Sequence, residues 1–523
     1  GIENLAIECD RYSVSNYAAA AICNAYLKDL GILSDCNLLA PFKIQRWRHS
    51  IRSKNSQELR STEKGVDALG FDGKRIDGYV IEERTEILKD GSKKSIQQRV
   101  KRKDEYIVVT REPDVGYLEH FSPKTGKALD VAMNLYGIIV SSSSVDTIKS
   151  LVCDGTNVNV GRPGGIIRLI ETKLNRPLQW DVCLLHANEL PFRDLFPSVD
   201  GCTTGPNTCE GSLGAEIRSK NHLQDLELVE FQRIPGKVLQ ITDPQVVGDL
   251  SYEQKYLLQM SLSIQCGDMV ESNLHRRSPG PLDNARWLTK ANRVLRLYIS
   301  TADPSPELKR LVFNIINFYA PCWFQIKRYH GIQYGAINFY EIVRHFQLLP
   351  ASDREIQKRA LMRNSFFAHP ENILVSAICS PNIEHRRFAV NKIMAARTHD
   401  QNLEANGQVV PVRVFETPKE INLEATNFLE LLPESAWERM EWTHPPILRD
   451  CTDNQIQETV TKCVPLTFPR VPCHSQSVER AVKLMTQSVE MSAYYEAQHG
   501  FIINKMKSRN LMPKFINKKA FPK

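Results

Sequence analysis

The chain has 523 residues, 42% of them hydrophobic and 24% charged, a balance that builds packed domains and excludes a disordered polymer. No apolar run approaches the roughly eighteen residues a membrane-spanning helix needs, and no basic leader with an apolar core opens the sequence. The net charge of +7 is modest, and the 13 cysteines lack any CxxC pair, so they read as reduced thiols of a cytosolic or nuclear protein.

The sequence opens without a methionine, as a fragment would. Ser13 or Ser15 is placed to cap a helix over Tyr17–Leu30 that Gly31 ends. Lys43 to Lys64 follows as a basic helix or arm, with Arg46, Arg48 and Arg52 around Trp47 and only Glu58 and Glu63 to oppose them. This face suits phosphate backbones; an exposed linker helix is the equal alternative. A second basic cluster, Lys505 to Lys523, holds no acid at all.

From Gly65 the periodicity is that of strands. Val66–Asp72 is short and apolar and is expected to stop at Asp72-Gly73. Tyr79–Leu88 alternates, and Asp90-Gly91 offers a hairpin turn into the basic run Lys93–Lys103, where Lys101 and Arg102 are candidate DNA contacts. Strands are expected at Tyr106–Thr110 and Gly116–Phe121 and a helix at Ala128–Val140. Thr147–Asp154 is a strand that also stops at an Asp-Gly pair. A helix in Gly161–Leu174 and a buried strand, Trp180–His186, complete the series. The GRPGG segment fits neither phosphate-loop pattern and reads as a helix start. Cys183 and His186 have half the spacing of a zinc site without a matching second pair, although Cys202 and Cys209 follow.

The order strand, strand, strand, helix, strand, helix, strand, helix is that of an RNase H-like domain, a mixed sheet with helices on both faces. Catalysts in such sheets collect where strands end. Asp72 and Asp154 are therefore the candidate ligands of two Mg²⁺ or Mn²⁺ ions, because hard cations prefer oxygen. One ion would activate a water or 3′-hydroxyl and the other stabilise the leaving oxygen of a phosphodiester. Asp67 and Asp77 rank lower, one inside the strand and one beyond the turn. Beyond Cys209 the chain turns helical for about 250 residues, with helical periodicity in Gln254–Met269, Asn284–Ile299, Pro306–Tyr319, Asn338–Gln347, Asp353–Asn364 and Glu384–Arg397. Within it, Arg286-Trp287 opens an amphipathic helix. A buried tryptophan is the ordinary reading of that pair; stacking on an extruded base is the sharper one. Near the end, Pro472–Arg480 leads into a helix capped by Ser475, with Val478, Val482, Met485 and Val489 as its apolar stripe. Glu479 and Arg480 lie in its first turn, where a capping acid with a paired arginine is the bland assignment.

Taken together, Asp72, Asp154, Cys183-Leu184-Leu185-His186, Arg286-Trp287 and Ser477-Val478-Glu479-Arg480 resemble, in order, the motifs of the hAT-superfamily DNA transposases or a domesticated relative. Eighty-two residues separate Asp72 from Asp154 and 325 separate Asp154 from Glu479, the long gap matching that family's helical insertion. The resemblance implies an α/β, RNase H-like fold interrupted by a large all-α domain: an N-terminal helical and basic segment (1–64), the first part of the sheet domain (65–209), the insertion (210–460), and a completing and dimerising segment (461–523). It implies Asp72, Asp154 and Glu479 as catalytic and metal ligands and Trp287 on a flipped base. His186 would lie near the scissile phosphate, with Arg286 and Arg480 on DNA. It further implies nuclear double-stranded DNA, transposon ends and target, as substrate, a homo-oligomer, and no membrane. The departures are Gly-Lys-Arg-Ile after the first aspartate, Ala-Val after Arg480, and no N-terminal zinc finger, so end recognition is expected upstream of Gly1 or lost. The rivals are a DNA-binding, dimerising scaffold that has lost catalysis and an RNase H-like nuclease that does not transpose.

Overall fold

The computed structural model describes residues 3–32, 37–62, 65–87, 92–112, 116–161, 164–176, 178–201, 211–221, 226–236, 247–248, 250–280, 286–329, 334–362, 374, 376–406, 422–425, 428–431, 452–462 and 476–511. In chain order its main elements are α1 (Glu3–Arg11), α2 (Asn16–Asp29), α3 (Pro41–Thr62), β1 (Ala68–Ile87), β2 (Lys93–Glu112), β3 (Gly116–Phe121) and α4 (Ala128–Ser141). Next come β4 (Ser150–Cys153), α5 (Asn157–Val160), α6 (Ile166–Leu174), β5 (Gln179–Val182), α7 (Leu184–Asp200) and α8 (Ser212–Asn221). The helical stretch continues with α9 (Tyr252–Cys266), α10 (Arg286–Ile299), α11 (Pro306–Asn314), α12 (Ala320–Arg328), α13 (Gly335–Gln347), α14 (Ala351–Met362), α15 (Ile383–Ala405) and α16 (Asp453–Lys462). The last two are α17 (Gln476–Met491) and α18 (Tyr495–Leu511). The chain is mixed α/β, and it divides into two units, residues 1–148 with 476–523, and residues 149–475. No helix among the described residues is long and apolar enough to cross a membrane.

In the first unit β1 and β2 form an antiparallel pair with unbroken register from Ala68↔Glu112 to Ile87↔Lys93. β3 pairs antiparallel with β2, with a register shift between Val109 and Thr110. One correction to the sequence reading follows at once: Asp72-Gly73 does not end a strand. Residues of both expected strands, Val66–Asp72 and Tyr79–Leu88, fall in one 20-residue strand, Ala68–Ile87, because β2 continues to pair opposite Gly73, Lys74 and Arg75. The expected turn at Asp90-Gly91 lies outside the described residues.

Side chains alternate across a strand, and one face of β1–β2 is covered by α17. Ile76, Tyr106 and Val108 pack there with Val478, Ala481, Met485 and Val489, all buried. Burying each valine or methionine stabilises by about 1.5–3 kcal/mol. The helix comes close because two β1 residues on that face are glycines. A methyl group on Gly70 would fall 2.7 Å from Val478 Cγ2, and one on Gly78 would fall 2.3 Å from Val489 Cγ1.

The N-terminal helices are fastened to α18 by one buried carboxylate. Asp10 is fully buried. Its Oδ1 accepts from Arg48 Nε at 3.0 Å and from Arg52 Nη2 at 2.6 Å; its Oδ2 accepts from Arg52 Nε at 2.9 Å and Asn504 Nδ2 at 2.7 Å. Arg48 also donates to the Val14 carbonyl and to Asn16 Oδ1. A second buried network joins β3 to α18. Tyr117 Oη donates to His120 Nδ1 at 2.5 Å, which assigns the proton to Nε2; that group donates to Gln498 Oε1 at 3.0 Å. The ring stacks on Tyr495, whose hydroxyl donates to Glu119. Burial holds the His120 pKa down to about 4, against a smaller opposing effect of the Gln498 hydrogen bond.

The second unit has β4 and β5 as a parallel pair, Ser150↔Gln179 to Cys153↔Val182, buried along their length. Glu171 of α6 braces them: its Oε1 accepts from the Leu178 N–H and Trp180 Nε1, both at 2.9 Å, and Arg168 approaches Oε2 at 3.3 Å. Burial pushes the Glu171 pKa up to about 7, more than these partners pull it back. The remaining helices share one apolar core built around α7, α10, the π-helical turn Ile315–Tyr319 and α13.

Asp10→Ala strands the buried Arg48 and half-buried Arg52 guanidinium groups and should cost about 3–5 kcal/mol of stability, read as a fall in urea midpoint. Lys54→Ala, which removes exposed pairs to Glu3 and Glu58, should leave the melting temperature within about 2 °C of wild type. Equal effects of the two would contradict the anchoring role. The His120 network predicts a pH dependence of definite sign. The unfolded chain takes up a proton as pH falls through 6.5, whereas folded His120 refuses it until about pH 4. This contribution, about 3 kcal/mol, is therefore complete above pH 6.5 and lost on acidification to pH 4. His120→Gln should show a smaller fall in melting temperature between pH 7 and 4.5 than wild type; parallel curves would contradict the assignment.

Candidate functional site

Asp72 is half-buried in mid-strand, and its Oδ1 accepts the Gly73 N–H at 2.7 Å. It is opposite Val108 in the register, and Val108 belongs to the core beneath α17. Asp72 therefore shares the covered face with Gly70, two residues away, roughly 6.8 Å along the strand. Because Val478 sits over Gly70, the exposed Glu479 and Arg480 that follow it lie near the start of the helix, at the Asp72 end of the contact. Two of the three expected carboxylates are thus carried by elements packed on one another. The Ser475 cap lies outside the described residues.

In the second unit Asp154 follows β4 directly. Its Oδ1 accepts from Thr156 Oγ1 at 2.9 Å, the Thr156 N–H at 3.3 Å and Asn159 Nδ2 at 2.6 Å. The carboxylate is oriented by the loop and α5, as in an Asx turn. His186 was expected at the end of a strand; it stands instead in the first turn of α7, since β5 ends at Val182. The Cys183 N–H bonds to the Cys153 carbonyl at 2.9 Å, so the two strand ends stay together. A methyl on Gly155 would fall 2.9 Å from His186 Cδ2. Asp154 and His186 are thus neighbours across a glycine at the carboxyl ends of parallel strands, where α/β sheets hold ligands.

The other expected contacts divide. Arg48 and Arg52, expected as DNA contacts, both bind the buried Asp10 carboxylate. Arg46 remains exposed on α3, and Lys43 lies over the half-buried Trp47 ring. Lys101 is exposed on β2; Arg102, also exposed, is held by Asp104 and Glu82. Trp287 is 5% exposed, edge-on to Phe192 at 6.0 Å and tilted against Phe196 at 6.2 Å. That is the ordinary reading of the Arg-Trp pair, and the ring would have to leave this core to stack on a base. The side chain of Arg286 lies outside the described residues, as do Cys202 and Cys209. A groove of about 960 Å³ in the first unit is lined by Arg48, His49, Arg52, Tyr494 and Tyr495, among others, and neither Asp72 nor Glu479 lines it.

Among the described residues no group of three or more His, Cys, Asp or Glu side chains has the geometry to hold a metal ion. Comparison with protein-family models, with curated proteins and with solved structures finds no match to this chain. Sequence reasoning missed Asp10, Thr156 and Asn159. Thr two residues after Asp154 is the spacing of an Asx turn, and Arg48 and Arg52, four apart on one helix face, are the signature of a shared acid.

The close approach at Gly155 is testable. Gly155→Ala should move the His186 ring resonances in a proton–nitrogen spectrum while the circular dichroism stays that of wild type. An unmoved His186 signal would contradict the contact.

Proposed function

We propose that the chain is a DNA-acting protein of the transposase type, with an RNase H-like core whose carboxylates, Asp72, Asp154 and Glu479, serve metal-dependent strand cleavage and transfer. The single observation that supports it most is the seating of α17 on β1, Val478 over Gly70, which brings Glu479 from the far end of the chain to the strand that carries Asp72. The chain order β1-β2-β3-α4-β4-α5-α6-β5-α7 is compatible with an RNase H-like order, in which the helices from α8 to α16 would be the insertion. His186 beside Asp154 supports a role near a phosphate.

The donor chemistry suits Mg²⁺ or Mn²⁺, since all three ligands are hard oxygen donors. The arrangement does not gather them into a metal-holding group, and Asp154 Oδ1 is already engaged by Thr156 and Asn159. When bound, such ions supply an activated water or 3′-hydroxyl and stabilise the leaving oxygen. The same observation favours a second reading, a DNA-binding and dimerising scaffold without catalysis.

Incubating the full chain with end-labelled duplex and pre-nicked 3′-hydroxyl DNA, in Mg²⁺ or Mn²⁺, separates the readings. The transposase reading expects cleavage and strand-transfer products that fall at least 100-fold in Asp72→Asn, Asp154→Asn and Glu479→Gln while duplex binding persists. Duplex binding without products supports the scaffold, and cleavage without strand transfer supports a nuclease. Full cleavage by Glu479→Gln contradicts the ligand assignment.

A further inference from the structure

Beyond Gly78 and Tyr106 the β1–β2 pair leaves the core that α17 covers. From Tyr79↔Lys101 to Ile87↔Lys93 it continues as a two-stranded ribbon, about 30 Å long at 3.4 Å per residue, with side chains that are exposed or half-buried throughout. Its charge is divided across its width. The β2 strand carries Lys93, Lys94, Arg99, Lys101, Arg102 and Lys103 before its first acid, Asp104. The β1 strand carries Glu82, Glu83 and Glu86 against Arg84.

We propose that the β2 edge of this ribbon lies along one phosphate backbone of duplex DNA. The inference rests on the DNA-acting reading above and names the surface that would serve it. Two of the cations brace the ribbon: Arg99 stacks on the Tyr79 ring at 3.7 Å and donates to the Met491 carbonyl, and Arg102 pairs with Asp104 and Glu82. Lys93, Lys94, Lys101 and Lys103 are left exposed along the edge, each a mobile point charge of the kind that meets phosphate. The four lysines spread over about 30 Å of strand, enough to span several phosphates of one DNA strand. The acidic β1 edge then faces away, which fixes the ribbon's orientation. A bare two-stranded ribbon is marginally stable in water, and a polyanion would relieve the repulsion among these lysines. Lysines also blunt sheet edges against self-pairing, so pairing with a second copy is the outcome the test must separate.

The test is anisotropy of a labelled duplex with the full chain across a salt series. Neutralising the four lysines together (Lys93→Gln, Lys94→Gln, Lys101→Gln, Lys103→Gln) should lower the slope of log affinity against log salt by about 3–4, since each phosphate contact contributes about 0.9. Four Lys→Arg changes should keep the wild-type slope. Glu82→Gln with Glu83→Gln and Glu86→Gln should leave the slope unchanged. A Gln variant that melts like wild type yet keeps the slope within one unit overturns the ribbon assignment alone, as does one whose only change is in oligomeric state or in binding to phosphatidylserine vesicles. A wild-type chain that fails to bind duplex overturns the DNA-acting reading with it.

Discussion

The first unit depends on one buried charge. Asp10 loses its water entirely, a cost of several kcal/mol for a carboxylate, and regains it from Arg48, Arg52 and Asn504. Those partners lie on α3 and α18, so a single carboxylate binds the first, third and last helices of the chain. Removing the carboxylate would leave both guanidinium groups without their shared counter-charge. The same requirement takes two arginines out of the pool available to a polyanion, which is why a basic stretch of sequence overstates the basic surface.

A second constraint acts through absent side chains. α17 can lie on β1 because Gly70 and Gly78 present no Cβ to Val478 and Val489. That contact selects which helix face is buried, and it leaves Glu479, one residue beyond Val478, at the Asp72 end of the strand. In the second unit Gly155 does the equivalent for His186 and Asp154. The candidate carboxylates and the histidine are thus positioned by glycines next to them, a division of labour in which backbone proximity sets the geometry and polar loop residues, Thr156 and Asn159, set the orientation.

Much of the helical part was legible because amphipathic periodicity is local. The expected Ala128–Val140 and Asn284–Ile299 helices and the stripe Val478, Val482, Met485 and Val489 all follow from 3.6-residue spacing. What failed was punctuation. Asp72-Gly73 carries turn chemistry, yet a paired neighbour strand overrides it, since the ladder gains hydrogen bonds on both sides of the glycine. The strand drawn through His186 was too long for the same reason in reverse: helix α7 captured its end. The identity of the acid that Arg48 and Arg52 share was beyond reach, because Asp10 lies far away in sequence, and composition weighs an arginine the same whether it meets phosphate or a buried acid.

The proposal stands on Asp72, Asp154 and Glu479 being the carboxylates of metal-dependent chemistry, with α17 carrying Glu479 onto the strand of Asp72. The most direct test is Mn²⁺ binding followed by electron paramagnetic resonance, which needs neither substrate nor turnover. The account predicts that wild type takes up Mn²⁺ and that Asp72→Asn, Asp154→Asn and Glu479→Gln each weaken it at least tenfold while the fold is retained. Uptake unchanged in Glu479→Gln would contradict the account, leaving α17 as a packing element and the chain as a scaffold.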